Sequence, residues 1–327
     1  MALVGAGAIA ATHLAAIDQV DGIELAAVVD IDGDAARTLA AGRDVLVTDD
    51  LDVLLRDRAL DAAIVCTPPV THAAIARDLL EAGCHVLCEK PLTVGLDAAV
   101  DLVKAADASG NLLMMASKFR YVADVALARK MLAQGAIGTP VMFENAFTTR
   151  MAMAGRWQVD PARSGGGVII DNGTHSVDIT RYLFGPIVEL LAVEGVRLQG
   201  QLVEDTATLT VRCATGVTGT IDLSWTVDKR LDHYARVHGS DGTIELGWRT
   251  ATRLDGEGRP VETFGYGYDK LTCFRAQLVD FVGAARGQHE PLLGHADALA
   301  SVAVIDAAYR SLAGIRWEHV EVPGGGA

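Results

Sequence analysis

The sequence predicts an α/β fold in two domains, and three observations carry that prediction. A short apolar segment runs straight into a Gly-x-Gly-x-x-Ala turn near Met1. Strand-like and helix-like apolar runs then alternate as far as Cys88. From Val141 to Leu246 a series of strand-like runs follows, closed by two helical ones. With 327 residues, half of them hydrophobic, the chain has enough apolar surface for two cores or one large one.

Leu3-Val4 leads into Gly5-Ala6-Gly7-Ala8-Ile9-Ala10, which opens an Ala-rich helical run through Leu14 and Ile17. A second apolar run, Ile23 to Val29, ends in Asp30. Asp30 stands twenty positions after Ala10, where a dinucleotide fingerprint has its acid for the adenosine ribose. Gly5 permits the tight turn, Gly7 leaves room for a pyrophosphate, and Ala10 lets helix and strand pack closely. The bare N–H groups that begin the helix, around Ala8 and Ile9, then face the phosphates. Close packing alone also produces Gly-Ala stretches, but strand, turn, helix, strand and acid in this order favour a nucleotide site.

The alternation continues through a helix at Ala35 to Ala41, a short segment at Val45 to Val47 and the strand Ala62 to Cys66, which stops at Thr67-Pro68-Pro69. A helix from His72 to Ala82 and the strand His85 to Cys88 follow, stopping at Glu89-Lys90-Pro91. Strand ends of a parallel sheet line the ligand crevice, so Thr67 and Lys90 belong at its mouth. Pro91 biases Lys90 away from the helical region. The competing reading of Lys90 is a solvated lysine paired with Glu89.

In the second half, Gly165-Gly166-Gly167 precedes an apolar run in which Asp171, His175, Asp178 and Tyr182 fall at i, i+4, i+7 and i+11. On an α-helix these form one stripe that joins a carboxylate to an imidazole, which is acid/base equipment. The bland alternative is a helix start with Asp171 near the dipole and His175 packed. Strand-like runs occupy Val141 to Phe147, Glu189 to Val196, Thr206 to Cys213, Thr218 to Thr226, Ala235 to His238 and Thr243 to Leu246. Thr215-Gly216 and Asp241-Gly242 are turn signals, and helices are expected at Cys273 to Ala285 and Ala296 to Leu312.

Formal net charge is -14 with no basic block, which argues against nucleic acid and anionic membranes as partners. The first basic side chain is Arg37, and polar residues interrupt every apolar stretch, so neither a signal peptide nor a membrane span is expected. Five scattered cysteines fit a reducing, cytoplasmic setting. Cys84 and Cys88 on one strand would stand ~13 Å apart at ~3.3 Å per residue, too far to share a metal, and no metal site is expected. Gly324 to Ala327 reads as a frayed tail.

Together, Gly5-x-Gly7-x-x-Ala10, Thr67-Pro68, Glu89-Lys90-Pro91, Lys118-Phe119-Arg120-Tyr121, Gly135-x-Ile137-Gly138 and Gly166-Gly167 before Asp171, His175 and Asp178 resemble the glucose-fructose oxidoreductase / inositol dehydrogenase (Gfo/Idh/MocA) family over nearly the whole chain. The resemblance implies a Rossmann domain, residues 1–117, and an α/β domain, residues 118–327, with a large, open, mainly antiparallel sheet that mediates homodimer or homotetramer formation. Only Met1 to Val4 precede Gly5, fewer than such proteins usually carry, which points to a clipped or misassigned start.

The resemblance further implies an NAD-dependent dehydrogenase or reductase acting on a ring hydroxyl of a sugar, aminosugar or cyclitol. Lys90, Asp171 and His175 match the family's catalytic set. Cofactor contacts are expected from Gly5, Gly7, Ala8, Ile9, Ala10, Asp30, Ile31, Cys66, Thr67, Pro68, His72, Glu89 and Lys90. Substrate contacts are expected from Lys90, Arg120, Tyr121, Trp157, Asp171, His175 and Tyr234, although an Arg after a strand is more often a surface ion-pair partner and Trp157 more often core or interface. Asp30 favours NAD over NADP, and neighbouring Ile31 offers no cation for a 2'-phosphate. Two alternatives share the fold, a glycosidase that oxidises its sugar transiently and a silent nucleotide sensor.

Overall fold

A computed structural model describes residues 1–56 and 60–323, so the tail expected at Gly324 to Ala327 lies outside the described residues. The chain forms two compact units: Met1–Lys118 with Lys270–Leu299, and Phe119–Asp269 with the residues from Ala300 onward.

The first unit alternates β1 (Ala2–Val4), α1 (Ala8–Ile17), β2 (Ala27–Val29), α2 (Gly33–Leu39), β3 (Leu46–Thr48), α3 (Leu51–Leu55), β4 (Ala62–Val65), α4 (Pro69–Glu81), β5 (His85–Glu89), α5 (Leu96–Ser109) and β6 (Leu113–Ala116). Its six strands are parallel in the order β3-β2-β1-β4-β5-β6. β1, β2, β4 and β6 are buried at every position, as a parallel sheet covered on both faces requires, which is why they read as continuous apolar runs. The register pairs Val4 with Val29 and Val65, Val65 with Cys88, and Cys88 with Met115. That alignment brings Gly5, Asp30, Cys66 and Glu89 to one edge of the sheet. Of the apolar run Ile23 to Val29, only Ala27–Val29 is strand, and α5 and β6 lie where no element was expected.

The second unit contains α6 (Ala123–Ala133), β7 (Pro140–Thr148), α7 (Pro161–Ser164), α8 (Thr174–Phe184), β8 (Ile187–Glu194), β9 (Thr206–Cys213), β10 (Thr218–Ser224), β11 (His233–Gly239), β12 (Gly242–Gly247), β13 (Ala251–Asp255) and β14 (Pro260–Phe264). The chain closes with α9 (Lys270–Ala285), α10 (His295–Gly314) and β15 (Glu318–His319). By its contacts α9 packs on α1 of the first unit, although its sequence position falls after the second unit's sheet.

The nine strands run β14-β13-β12-β11-β7-β10-β9-β8-β15. All pairings are antiparallel except β7 with β10, which is parallel from Met142↔Thr218 to Thr148↔Ser224. β7 alternates, with Phe143, Asn145 and Phe147 buried against exposed Glu144, so one face of the sheet is covered and the other carries charge. That outer face bears cross-strand ion pairs such as Arg236 with Glu245 and Arg212 with Glu189. β13, β14 and β15 escaped the sequence reading, because Thr-Arg-Leu-Asp and Val-Glu-Thr offer no clean apolar alternation.

Candidate active site

In the first unit the site begins at Gly5, whose φ of +100° suits glycine and whose added Cβ would come within 2.7 Å of the Cys66 carbonyl. A Cβ at Gly7 would meet nothing within 4 Å, so the backbone is open there. Gly7 caps α1 without a side-chain bond, and no acidic residue occupies the first turn of Ala8, Ile9 and Ala10. The opening N–H groups of that helix are therefore available to an anion. Asp30 is held from two sides: the Ala6 N–H donates to Oδ2 at 2.6 Å and the Asp32 N–H to Oδ1 at 2.8 Å. A carboxylate has about four acceptor directions, so each oxygen keeps capacity for a further donor such as a ribose hydroxyl. Ile31 is 92% exposed and presents no polar group beside it.

At the neighbouring strand ends, His72 on α4 ties two turns together. Its Nδ1 lies 2.8 Å from the Pro91 carbonyl oxygen and its Nε2 2.8 Å from that of Thr67. Burial pushes the His72 pKa down, against the two carbonyls and Glu89 that favour the proton. Thr67 and Pro68 are half-buried, Cys66 is buried, and Thr71 Oγ1 donates to Thr67 Oγ1 at 2.8 Å. Glu89 is buried beside His13, with 2.9 Å between Oε1 and Nε2, and its Oε2 accepts the Lys90 N–H at 3.1 Å. Burial opposes the charge on Glu89, yet the His13 hydrogen bond, with His13, Lys90 and Lys118 nearby, holds its carboxyl below the usual range. Lys90 itself is half-buried at the exit of β5, before a cis bond to Pro91. Cys84 and Cys88 are buried thiols whose pKa burial pushes up.

In the second unit, Ile169–Gly173 forms a π-type turn that runs into α8. The expected α-helical stripe thus opens on a π turn that carries Asp171, while His175 and Asp178 lie on the α-helix that follows, and such turns recur at functional sites. Asp171 and His175 remain half-buried, whereas Asp178 is buried and receives Arg120 through Nε at 2.9 Å and Nη2 at 2.7 Å. Arg120 is thus a buried strut, with its guanidinium 5.3 Å from the Tyr182 ring centre. Tyr121, half-buried, ends the same 3-10 turn, and half-buried Trp157 lies in a second one.

The start of this helix is set from far along the chain. Glu204, buried, accepts the Gly167 N–H at 3.0 Å, the Ile169 N–H at 3.1 Å and the Tyr309 hydroxyl at 2.8 Å, all on Oε1. Its own carbonyl accepts the Val168 N–H at 2.9 Å. A Cβ at Gly166 would collide with the Tyr309 hydroxyl, and one at Gly167 with the Glu204 carbonyl, so the glycines exist for these contacts. Burial pushes the Glu204 carboxyl up, against the hydrogen bonds that favour its charge, and burial with Glu204 pushes the Tyr309 hydroxyl up as well. The sequence reading missed Glu204 and Tyr309. The signal was a Glu-Asp pair just before a strand, without a local partner.

The His175 ring stands edge-on to Phe119 at 5.2 Å between centroids, within a cluster that includes Phe147, Tyr234, Trp248 and Tyr268. Tyr234 is buried in this cluster, stacked on Phe147 at 5.8 Å. Among the described residues no group of three or more His, Cys, Asp or Glu is placed to hold a metal, and no helix is long and apolar enough to cross a membrane.

Comparison with known proteins agrees with this architecture. Residues 1–117 match the oxidoreductase family, NAD-binding Rossmann fold, and residues 125–245 match the GFO/IDH/MocA C-terminal domain. The chain belongs to the Gfo/Idh/MocA family of oxidoreductases. It is 31% identical to D-apiose dehydrogenase of Paraburkholderia graminis over 68% of this chain and 60% of that protein, so the match spans less than two thirds of that relative's length. Myo-inositol 2-dehydrogenase of Thermotoga maritima is 28% identical over 73% of this chain and 72% of its own. Among solved structures, levoglucosan dehydrogenase in complex with NADH and levoglucosan aligns with a TM-score of 0.87 at 22% identity, covering 98% of both chains. The WlbA dehydrogenase of Bordetella pertussis, in complex with NADH and UDP-GlcNAcA, aligns with a TM-score of 0.85 at 24% identity over 98% of this chain and 97% of that one.

Proposed function

We propose that this protein is an NAD-dependent oxidoreductase that oxidises a ring hydroxyl of a sugar, aminosugar or cyclitol, or reduces the corresponding ketone. The observation that carries the reading is Asp30, held by two backbone N–H groups at a strand end beside an open glycine turn, in a chain that also bears half-buried Asp171 and His175. Names of relatives and structural neighbours support the substrate class, since they include dehydrogenases of inositol and apiose and a levoglucosan complex.

NAD, when bound, supplies the hydride acceptor. Gly5, Gly7 and the N–H groups of Ala8, Ile9 and Ala10 would hold the pyrophosphate, and Asp30 the ribose hydroxyls. The Asp30 charge would repel a 2'-phosphate, which is the basis for preferring NAD. His175 is the side chain whose ordinary pKa suits accepting the substrate hydroxyl proton near neutrality, with Asp171 orienting the hydroxyls. Lys90 supplies positive charge where alkoxide character develops. Arg120, bonded to Asp178, positions the adjoining segment, and the second unit's open sheet is the proposed surface of a homodimer or homotetramer.

The test is a panel of cyclitols, sugars, aminosugars and open-chain polyols with NAD, followed by NADH absorbance beside product analysis. Net NADH with a ring alcohol is expected; sugar hydrolysis without net NADH would point instead to transient oxidation, and no NAD binding by calorimetry would overturn the reading. His175→Ala should remove the acid limb of the pH-rate profile, because a protonated imidazole cannot accept the proton. Persistence of that limb with the same apparent pKa assigns the base elsewhere.

A further inference from the structure

The aromatic cluster around His175 is buried almost throughout, with Phe119 4%, Phe147 8% and Tyr234 1% exposed, but Trp248 is 43% exposed. Its indole packs on Tyr234 at 4.8 Å, Tyr268 at 5.8 Å and Phe147 at 5.9 Å. Phe119 lies 5.2 Å from His175 and 6.4 Å from Trp248; Phe147 lies 6.5 Å from His175 and 5.9 Å from Trp248. Imidazole and indole therefore share two neighbours and belong to one aromatic cluster.

The backbone under Trp248 is held on both sides. Gly247 donates to the Thr250 carbonyl at 3.0 Å, closing the turn between β12 and β13, and the Trp248 carbonyl accepts the Tyr268 N–H at 3.0 Å. The segment that supplies this N–H is itself pinned, because the Asp124 carboxylate, buried on α6, accepts the Tyr266 and Gly267 N–H groups at 2.9 Å each. Gly265 and Gly267, both at φ +75°, leave no room for a Cβ against Asp124 and the Trp248 carbonyl. A large indole left half in water on so fixed a support is preorganised to cover an apolar surface.

We propose that Trp248 is the stacking platform for the C–H face of a ring-shaped substrate whose hydroxyl is presented to His175, and that it selects cyclic over open-chain alcohols. This rests on the oxidoreductase reading above. A pyranose or cyclitol offers a flat patch of C–H groups that matches an indole without further ordering, whereas an open-chain polyol must freeze several torsions to present one.

Trp248→Ala and Trp248→Phe are assayed with the wild-type protein, using a turned-over ring alcohol and sorbitol as the open-chain comparison. Trp248→Ala should raise the ring substrate's KM about tenfold, with kcat and the NAD Kd within about threefold, and the sorbitol KM within about twofold. Trp248→Phe should restore most of the loss. An unchanged ring KM, or an equal rise for both substrates, overturns the proposal. Tryptophan emission gives a second readout independent of turnover and of the Ala variant's folding: myo-inositol or methyl glucoside should change emission in the wild type and not in Trp248→Phe. An emission change that survives in Trp248→Phe, or none in the wild type at saturating ring compound, also overturns it. Absence of NADH from every alcohol, with the Trp248-dependent emission change intact, would instead overturn the oxidoreductase reading and leave the platform standing.

Discussion

Each unit carries one buried glutamate beside a segment proposed to form the site, and the two behave in opposite ways. Glu89 in the first unit sits with His13, Lys90 and Lys118, and its carboxyl is held below the usual range despite burial. Glu204 in the second unit is surrounded by backbone N–H groups and a tyrosine hydroxyl, and burial pushes its carboxyl up. The His13 hydrogen bond and the neighbouring cationic groups outweigh the loss of water around the first; the hydrogen bonds from backbone and tyrosine do not outweigh it around the second. The first unit spends its buried charge at a strand end where Lys90 emerges, while the second uses its glutamate as a clamp on the glycines that start the Asp171 and His175 helix.

The largest expected effect tests the cationic end of this contrast. Lys90→Met should lower turnover roughly a hundredfold or more while NAD binding stays within a few-fold, as loss of an electrostatic or acid/base group typically does. Near-normal turnover by the folded variant would remove Lys90 from the chemistry and leave it a strand-end lysine.

Glycines sharpen the contrast next. Gly167→Ala drives a Cβ into the Glu204 carbonyl and should destabilise the protein by about 1–3 kcal/mol, read as a lower Tm. Gly7→Ala meets nothing within 4 Å, so its Tm should stay near wild type while NAD binding weakens. Equal Tm values for the two variants would break the distinction between a glycine kept for packing and one kept for a ligand.

Asp30→Ala should narrow the NAD over NADP preference by about tenfold, since one charged hydrogen bond and one repulsion disappear together, each on the order of 1.5 kcal/mol. Titration of both cofactors by fluorescence gives the ratio. An unchanged ratio means that another residue reads the ribose.

The smallest effect is the pH response of stability. The Glu89 carboxyl, depressed in the folded state, contributes stability that is present above the ordinary value of 4.5 and is lost as pH falls through its lowered value. The Glu204 carboxyl, raised in the folded state, contributes stability that is present below 4.5 and is lost as pH rises through its raised value. The Tm of Glu89→Gln relative to wild type should therefore worsen as pH rises from the lowered Glu89 value to 4.5, and that of Glu204→Gln should improve as pH rises from 4.5 to the raised Glu204 value, in thermal melts at matched ionic strength. The same sign for both variants would mean that their surroundings do not differ as described.

How legible each region was in the sequence follows from the same geometry. Around Gly5, Gly7 and Asp30 the contacts are made by neighbours in the chain or by strands in a regular parallel register, so spacing alone located them; the Ala6 N–H reaches Asp30 because β1 and β2 are adjacent. The resemblance to the family marked Lys90, Asp171 and His175. It did not reveal that Arg120 is buried against Asp178, since an ion pair spanning 58 positions leaves no local pattern.

Sequence by itself determined the α/β class, the glycine turn, the acid at the end of β2 and most of the strands, because these rest on periodicity and on backbone freedoms that only certain residues possess. Tertiary structure alone decided the rest. It turned the expected straight stripe into a π turn followed by α8, paired β7 with β10 in parallel, laid α9 against α1 and brought Glu204 and Tyr309 to the glycines. Each of those outcomes satisfies a buried polar group or covers an apolar face with a partner from a distant part of the chain, and a buried group selects its partner by position in space rather than by distance along the sequence.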